Sequence, residues 1–518
     1  MLSEIRKLLL KYNLDAILVN STNEYLVEYN SLEENSRYKL TGFTGSTGDA
    51  VVTCDKVYLF VDGRYHIQAD NEVNPDIVTV VKLHGGDTFF SKFKEIFSPS
   101  AVLGLFPSKN SISRIDNFKK FCKVVYLEQD PFDKKVSVGN ASETEIPVSI
   151  AGRSVEDKLQ YLRRNLNVDD AILVSNLEEV SYLFNLRDFS KQYSSKVEKR
   201  AIITNESANL YGRADFDNYK SELLSISGNI YVDKTSINGR DFDIVKDKAK
   251  IMDLSPISIL KSEKTSEEIK HYMSAFKRTD DAMRAIRAFI NDNDNISEYD
   301  VDKKLEEYFY KYGAKSLSFK SIVAKDNNSA LAHYSKSSKE EVIKEGSLVL
   351  IDCGAYYEGG LATDITRVFV KGAANPLQRK VYTTVLKAFL NAFNTQVTSD
   401  TSGYDIDNKT RLFFNKNTIE GFEFNHGLGH GIGISVHEYP PNLGCSELSK
   451  VKLKDNMCFT IEPGLYNKNE FGVRLENSCY LKDGIIHSFT NMNYEKKLID
   501  FDMLTPQELE WLKSFEVI

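Results

Sequence analysis

Two hydrophobic periods alternate along the N-terminal part of the chain. Leu2 to Tyr12 carries apolar residues at helical spacing, and Ala16–Val19 is a short continuous apolar run of strand type. The segment LTGFTGSTGDAVV follows, in which Gly42, Gly45 and Gly48 mark a tight, close-packed stretch before a strand at Ala50–Thr53. A strand at Val57–Val61 runs through Asp62 and Arg64, which brace the domain, into a helix from Tyr65. Strands and helices keep alternating through Ile77–Val81, Thr88–Ile96, Val102–Phe106 and Val124–Leu127, the pattern of an α/β domain from Met1 to about Pro147. The glycines precede a strand instead of opening a helix after one, so they are not a dinucleotide fingerprint.

A second α/β pattern occupies residues 148–259. Asp169–Val174 (DDAILV) repeats Leu14–Val19 (LDAILV), each after an amphipathic helix and before a short acidic turn. Asn209–Tyr211 weakly echoes Tyr58–Val61, and the glycine-rich stretch is missing, so the pair reads as a diverged duplication. The third pattern begins at about residue 260. Thr265 or Ser266 caps a helix that turns Ile269, Met273, Phe276, Met283, Ile286 and Phe289 toward a core, with one break expected. Ser297-Glu298-Tyr299-Asp300 starts another helix, which Gly313 closes, and Leu348–Ile351 is a strand.

At 518 residues the chain is long enough for two to four domains. The net charge of −8, with no basic block, argues against nucleic acid as a partner. No apolar run is long enough to span a membrane, and the first residues lack a signal-peptide pattern, so a cytoplasmic location is expected. Cys54, Cys122, Cys353, Cys445, Cys458 and Cys479 fit neither a disulfide framework nor a CxxC zinc site and read as free, mostly buried thiols.

The chemistry lies between Leu348 and Tyr480. Asp352 and Asp364 flank a glycine-bearing hairpin, with Gly354, Gly359 and Gly360 at its turn. His426, His430 and His437 lie in HGLGHGIGISVH, Glu462 in TIEPGLY and Glu476 in GVRLEN. Each carboxylate adjoins a strand-like apolar run. Four carboxylates gathered in one apolar interior stay ionised only if cations compensate them. Two divalent ions carry four positive charges, which matches Asp352, Asp364, Glu462 and Glu476, and His430 adds a nitrogen ligand. Arg474 and Glu476 share a strand face, whereas Cys353 points away from Asp352. His66, His84, His271 and His487 lack such context and read as structural, and Trp511 as a packing anchor.

With these motifs the chain resembles the proline-specific metallopeptidases of the creatinase/methionine-aminopeptidase group, and most closely the three-domain Xaa-Pro aminopeptidases. The resemblance rests on DCGAYYEGGLATDITR, HGLGHGIGISVHE, TIEPGLY and GVRLEN. LTGFTGSTGDAVV with VDGRY, AGRSVEDKLQYLR with LFNLR, and the tail LIDFDMLTPQELEWLKSF extend it to nearly the whole chain. It implies two tandem creatinase-like α/β N-terminal domains (1–147 and 148–259) followed by an α+β pita-bread catalytic domain (260–518). It also implies release of the N-terminal residue from Xaa-Pro-Yaa peptides by a hydroxide bridging two metal ions.

In that scheme Asp352 binds one ion, Asp364 and Glu476 bridge, and His430 and Glu462 bind the other. Glu462 is the base, with His437 and His333 also catalytic. His333, His426, His437 and Arg474 handle substrate. The resemblance favours Mn²⁺, with Zn²⁺ or Co²⁺ as alternatives, and a homodimer. Asp352 and Asp364 stand one position further apart than in the family, so the extra residue must fall in the turn to keep both carboxylates on one face. The competing readings are an Xaa-Pro dipeptidase of the same fold, a metal-free creatinase-type enzyme and a non-catalytic peptide-binding protein.

Overall fold

The computed structural model describes residues 2–84, 86–133, 142–334 and 336–515. By packing, the chain divides into two units, one of residues 1–143, 155–186 and 197–257, the other of residues 144–154, 187–196 and 258–518. The first unit thus takes in both N-terminal α/β patterns. Two short segments that the sequence pattern assigns to those patterns, 144–154 and 187–196, pack with the second unit instead.

The first unit holds two sheets of related topology. In the six-stranded sheet, Ala16–Val19 pairs antiparallel with Asp49–Val52 and parallel with Val102–Leu105. Val57–Val61 and Val78–Lys82 extend one side and Lys123–Tyr126 the other. In the five-stranded sheet, Ala171–Val174 pairs antiparallel with Arg200–Ile203 and parallel with Ile230–Asp233, between outer strands Ala208–Tyr211 and Ala249–Met252. The second sheet repeats the first minus one outer strand, so the short DAILV repeat marks a duplicated topology. The glycine-rich stretch is held by side chains. Arg37, fully buried, donates to the Gly45 carbonyl at 2.5 Å, and Arg64 pairs with Asp62 at 2.8 Å while also reaching Thr47.

The second unit is α+β. Ile322–Lys325, Leu348–Cys353 and Ile365–Val370 form one antiparallel sheet. Glu438–Leu443, Gly429–Gly431, Cys458–Ile461, Asn477–Lys482 and Ile485–Ser488 form another, and Gly464–Tyr466 pairs with Gly472–Arg474. The helices Ser266–Asp292 and Glu298–Lys311 bury Met283, Ile286, Val301 and Leu305 with Val349, Ile351 and Phe369. Pro376–Phe393 and Gly403–Lys416 cover the core that contains Phe459, Ile461 and Val473. Trp511 packs on that same core, as its sequence context suggests.

The helix expected to break runs unbroken from Ser266 to Asp292, started by a Thr265–Glu268 capping box. Thr279 and Asp280 interrupt its apolar stripe. Both are buried and used. Thr279 Oγ1 lies 2.8 Å from Thr363 Oγ1, and Asp280 accepts from the Thr490 hydroxyl and from the Asn491 amide. Two of the six cysteines, Cys54 and Cys445, are exposed and the other four buried.

Arg367 ties the two sheets of this unit together. It is 0 % exposed and donates to the carbonyls of Thr366, Glu476, Met492 and Asn493 and to the Asn477 side chain, with Tyr494 stacked 4.5 Å from the guanidinium. Arg367→Met strands several buried acceptors at once. The expected loss is at least about 3 kcal/mol of stability, read as a lower urea midpoint. An unchanged midpoint would remove Arg367 from this role.

Candidate metal centre

Strand register brings the first two acidic residues together. Leu348–Cys353 pairs with Ile365–Val370 without a bulge, from Leu348↔Val370 to Cys353↔Ile365, and Asp352 stands opposite Thr366. Asp364 lies two residues before Thr366, so it shares that face. The excursion between them leaves the sheet: Ala355–Tyr356 pairs with Ser316–Leu317, and a turn closes where the Gly360 amide donates to the Tyr357 carbonyl. Gly360 adopts a φ of +63°, and a Cβ on Gly354 would sit 1.8 Å from the Thr363 carbonyl oxygen, so each position demands glycine. Residues 354–364 therefore lie outside this strand pairing, which is in register on both sides of them. Cys353 faces the opposite side, buried in the core beside Ile351 and Ile365.

The other residues arrive from the second sheet and from the strand pair. His430 lies on Gly429–Gly431, and Glu462 immediately follows Cys458–Ile461. Arg474 ends the strand Gly472–Arg474 and Glu476 precedes Asn477–Lys482, so the two occupy a junction between strands and not one continuous strand face. They converge nonetheless on Thr366. Arg474 Nε donates to Thr366 Oγ1 at 3.1 Å, and Thr366 Oγ1 donates to Glu476 Oε2 at 2.8 Å.

Ligand atoms of Asp364, His430 and Glu476 all lie within 4.8 Å of one another. His430 Nε2 is 3.6 Å from both Asp364 Oδ2 and Glu462 Oε1, too long for a hydrogen bond and suited to ligands facing a shared cation. His430 Nδ1 lies 3.1 Å from the Gly431 carbonyl; a proton held there leaves the Nε2 lone pair for a metal. Three buried carboxylate oxygens of the group, Asp352 Oδ1, Asp364 Oδ1 and Glu476 Oε1, have no hydrogen-bond partner among the described residues. Buried anionic oxygens left this way are costly unless a cation takes them. The donor set therefore fits a metal.

Electrostatics point the same way. Burial, reinforced by the charges of Glu476, Asp352 and Glu462, drives the Asp364 carboxyl well above its usual range. Burial and the Asp352 charge push Glu476 up to about 8. The nearest compensating charge is Arg474, whose Nη2 donates to Asp352 Oδ2 at 2.6 Å and whose Nε stands 3.9 Å from Glu462 Oε2. One guanidinium cannot balance four carboxylates.

The predicted histidines divide into three positions. The His437 ring stands 4.5 Å from the His430 ring at 82°. His426 connects through Tyr466, whose hydroxyl lies 2.8 Å from His426 Nε2 and accepts from Arg474 Nη1 at 2.8 Å. His333 is half-buried on the segment next to the strand Gly472–Arg474, where the Gly472 amide donates to Ser329 Oγ at 2.8 Å. Sequence reading had missed Tyr466 and Thr366 although both lie inside its motifs, because nothing in a motif says which hydroxyl bridges an arginine to a histidine or a carboxylate. It also missed Glu438. That buried carboxylate accepts from Lys264 at 2.6 Å and from the Ile434 amide at 2.9 Å, and so ties down the turn leading to His437. Of the remaining histidines, His66 and His84 pair at 5.0 Å and His487 stacks on Tyr480, in structural settings.

The raised carboxyls give a signed prediction. A carboxyl whose folded pKa lies above its unfolded value of 4.5 stabilises the fold below that value and loses the contribution as pH rises through about 8. The metal-stripped protein should therefore melt at progressively lower temperature across that window. Divalent ions should restore most stability at its upper end, and Glu476→Gln should flatten the dependence. Thermal melts with and without chelator test this, and a flat profile for the metal-free wild type would contradict the shared-charge account.

Comparison with known proteins agrees with this architecture. Residues 270–483 match the pattern of Metallopeptidase family M24, and residues 1–128 and 135–223 each match a Creatinase/Prolidase N-terminal domain. A probable Xaa-Pro aminopeptidase P of Coprinopsis cinerea is 26% identical, with 99% of this chain and 93% of the relative covered. Aminopeptidase P1 of Lotus japonicus is 27% identical, with 99% and 95% covered. The crystal structure of an X-prolyl aminopeptidase from Caenorhabditis elegans, described as a cytosolic enzyme with a di-nuclear active site, superposes with a TM-score of 0.87 at 22% identity, covering 97% of this chain and 90% of that one. Residues 270–483 carry the Metallopeptidase family M24 pattern on a pita-bread fold, and two creatinase-like α/β domains precede them.

Proposed function

We propose that this protein is a metal-dependent Xaa-Pro aminopeptidase, removing the first residue from peptides with proline in second position. The observation that carries this reading is the cluster of Asp352, Asp364, His430, Glu462 and Glu476, with Asp364 and Glu476 buried, three buried carboxylate oxygens unpartnered among the described residues, and His437 beside it. The names of the relatives, matched over nearly the whole chain, support the proline specificity. Four carboxylates and one imidazole without a thiolate suit hard or borderline ions, so we assign two ions per chain, Mn²⁺ foremost and Zn²⁺ or Co²⁺ next. Such ions supply Lewis acidity and a water that deprotonates near neutral pH.

The chain's own residues do the rest. Glu462, half-buried and unlike Asp364 not enclosed, accepts the proton of the attacking water and passes it to the departing proline nitrogen. That nitrogen belongs to a tertiary amide with no N–H, so it must gain a proton to leave. His437 and His333 donate toward the scissile carbonyl and its neighbour. His426 borders the substrate with its Nε2 held by Tyr466. Arg474 orients Asp352 and Tyr466 and reaches substrate only through them. We further propose division into domains 1–147, 148–259 and 260–518, a homodimer, and a cytoplasmic location. Among the described residues no helix is long and apolar enough to cross a membrane.

One substrate panel tests the specificity: Xaa-Pro-Yaa, Xaa-Pro, Xaa-Ala-Yaa and N-acetylated Xaa-Pro-Yaa, with Mn²⁺ present. Cleavage should be confined to the first. Preference for the dipeptide would make the protein a prolidase, and equal rates on proline and alanine peptides would end the claim of proline selectivity. Glu462→Gln should lower kcat by at least about 10²-fold, while elemental analysis of the wild type should find two ions per chain. Full activity with one ion, or activity without metal, would sink the binuclear assignment.

A further inference from the structure

Glu298 is 0 % exposed, lies outside the metal cluster, and has no part in the chemistry described above. It is the first residue of the helix Glu298–Lys311, and its carboxylate accepts four hydrogen bonds. Oε1 takes the Lys325 amide at 2.7 Å and the Asn328 side chain at 2.9 Å. Oε2 takes the Tyr334 hydroxyl at 2.7 Å and the Ser338 amide at 3.0 Å. All four donors come from one segment, residues 325–338, and His333 lies within it, next to Tyr334.

The ends of this segment are fixed without Glu298's side chain. At its start, Ile322–Lys325 is a strand paired with Leu348–Cys353. At its end, the Tyr299 amide donates to the Ser338 carbonyl, and the Ile343 amide to the Ile296 carbonyl. Between these anchors no strand pairing occurs among the described residues; the Asp326 carboxylate accepts from Ser347 and the Leu348 amide, Ser329 accepts from the Gly472 amide, and Asp302 hydrogen-bonds Ser337. The carboxylate of Glu298 adds four hydrogen bonds spread along the segment, including the one to Tyr334 beside His333. Burial and the adjacent Glu298 charge push the Tyr334 hydroxyl's pKa upward, so it keeps its proton and remains a donor. The N-terminus of the helix further favours a negative charge at this position.

We infer that Glu298 is a positioning residue, which sets the aim of His333 toward the substrate by clamping residues 325–338 through four donors. The inference rests on the role proposed above for His333. It accounts for a fully buried carboxylate outside the candidate metal cluster whose four hydrogen bonds all go to one histidine-bearing segment. A glutamine there keeps the shape but replaces one acceptor oxygen by an NH₂ group, which faces two donors whichever way the amide is turned.

The test is a double-mutant cycle on the Mn²⁺-loaded protein, with an Xaa-Pro-Yaa tripeptide as substrate. Glu298→Gln should lower kcat/KM on the order of 10²-fold, the scale of a misplaced catalytic contact, with bound metal unchanged. In a His333→Ala background the same substitution should add little, because the group it aims is gone. Tyr334→Phe, which removes one donor, should show the same dependence on His333 with a smaller loss, roughly tenfold, and it serves if Glu298→Gln does not fold. Amide hydrogen exchange should rise across residues 326–337 in Glu298→Gln and stay at wild-type levels in the strands Leu348–Cys353 and Cys458–Ile461. Independent, multiplicative losses in the cycle, or unchanged exchange in the segment, would overturn the inference. A wild type that cleaves no Xaa-Pro peptide would instead refute the proposed function, and the exchange measurement would then decide the clamp alone.

Discussion

Mutual repulsion among buried carboxylates governs the catalytic unit. Asp352, Asp364, Glu462 and Glu476 come from different strands or strand ends, Asp364 and Glu476 buried where water screens poorly and Asp352 and Glu462 half-buried beside them. A like charge in a low-dielectric interior is worth several times its value in water, so folding this site without cations requires carboxyls to take up protons. The upward displacement of Asp364 and Glu476 expresses that requirement. Tight packing behind the site keeps the carboxylates from spreading apart. Cys353 and Ile365 are buried in the core behind one wall, and Arg367 binds the backbone of Glu476 to the loop at Met492 and Asn493. Rigid backing and frustrated charge together make a cation site.

Arg474 shows how such a site is tuned without being neutralised. Its three nitrogens contact Thr366, Tyr466 and Asp352, so one buried guanidinium reaches a carboxylate of the cluster and, through the tyrosine, His426. Because the guanidinium is planar and its donors are fixed in direction, orienting Asp352 also orients Tyr466. A lysine would supply the charge without that geometric coupling.

Much of this was legible in the chain because it follows from period and register. Alternation placed Asp352 opposite the core-facing Cys353, and the DAILV repeat signalled the duplication that the related topology of the two sheets displays. Compensation of charge called for cations before any coordinates were considered. What stayed hidden were the partners that meet only through space. Glu298 reads in sequence as an acidic residue in a helix's first turn, where it would be expected to face solvent, and the four donors that bury it lie 27 to 40 residues downstream. Thr279 and Asp280 are polar residues in an apolar helix stripe, and the partners that bury them, Thr363 and Thr490, are 84 and 210 residues away. Local pattern reports which face is apolar, not which polar groups the fold will satisfy inside.

The buried glutamates of this unit can be sorted by what compensates them, and the sorting tracks function. Burial would raise the Glu438 carboxyl, but Lys261 and Lys264 outweigh it and draw it down to about 2, so it is a permanent anion anchoring the turn before His437. Glu298 is held by four neutral donors at a helix N-terminus, which fix its direction without a counter-ion among those donors. Glu476 has a single donor on one oxygen, Thr366, none on the other, and no adjacent ammonium. The same residue type thus serves as anchor, as clamp and as ligand, and the difference lies in the partners. Anchor and clamp are satisfied by the protein itself, so they can hold histidine-bearing segments whether or not metal is present. Of these three glutamates, only Glu476 keeps a buried oxygen without a partner among the described residues. The segments that carry His437 and His333 are thus tied to carboxylates other than those facing the candidate metal site.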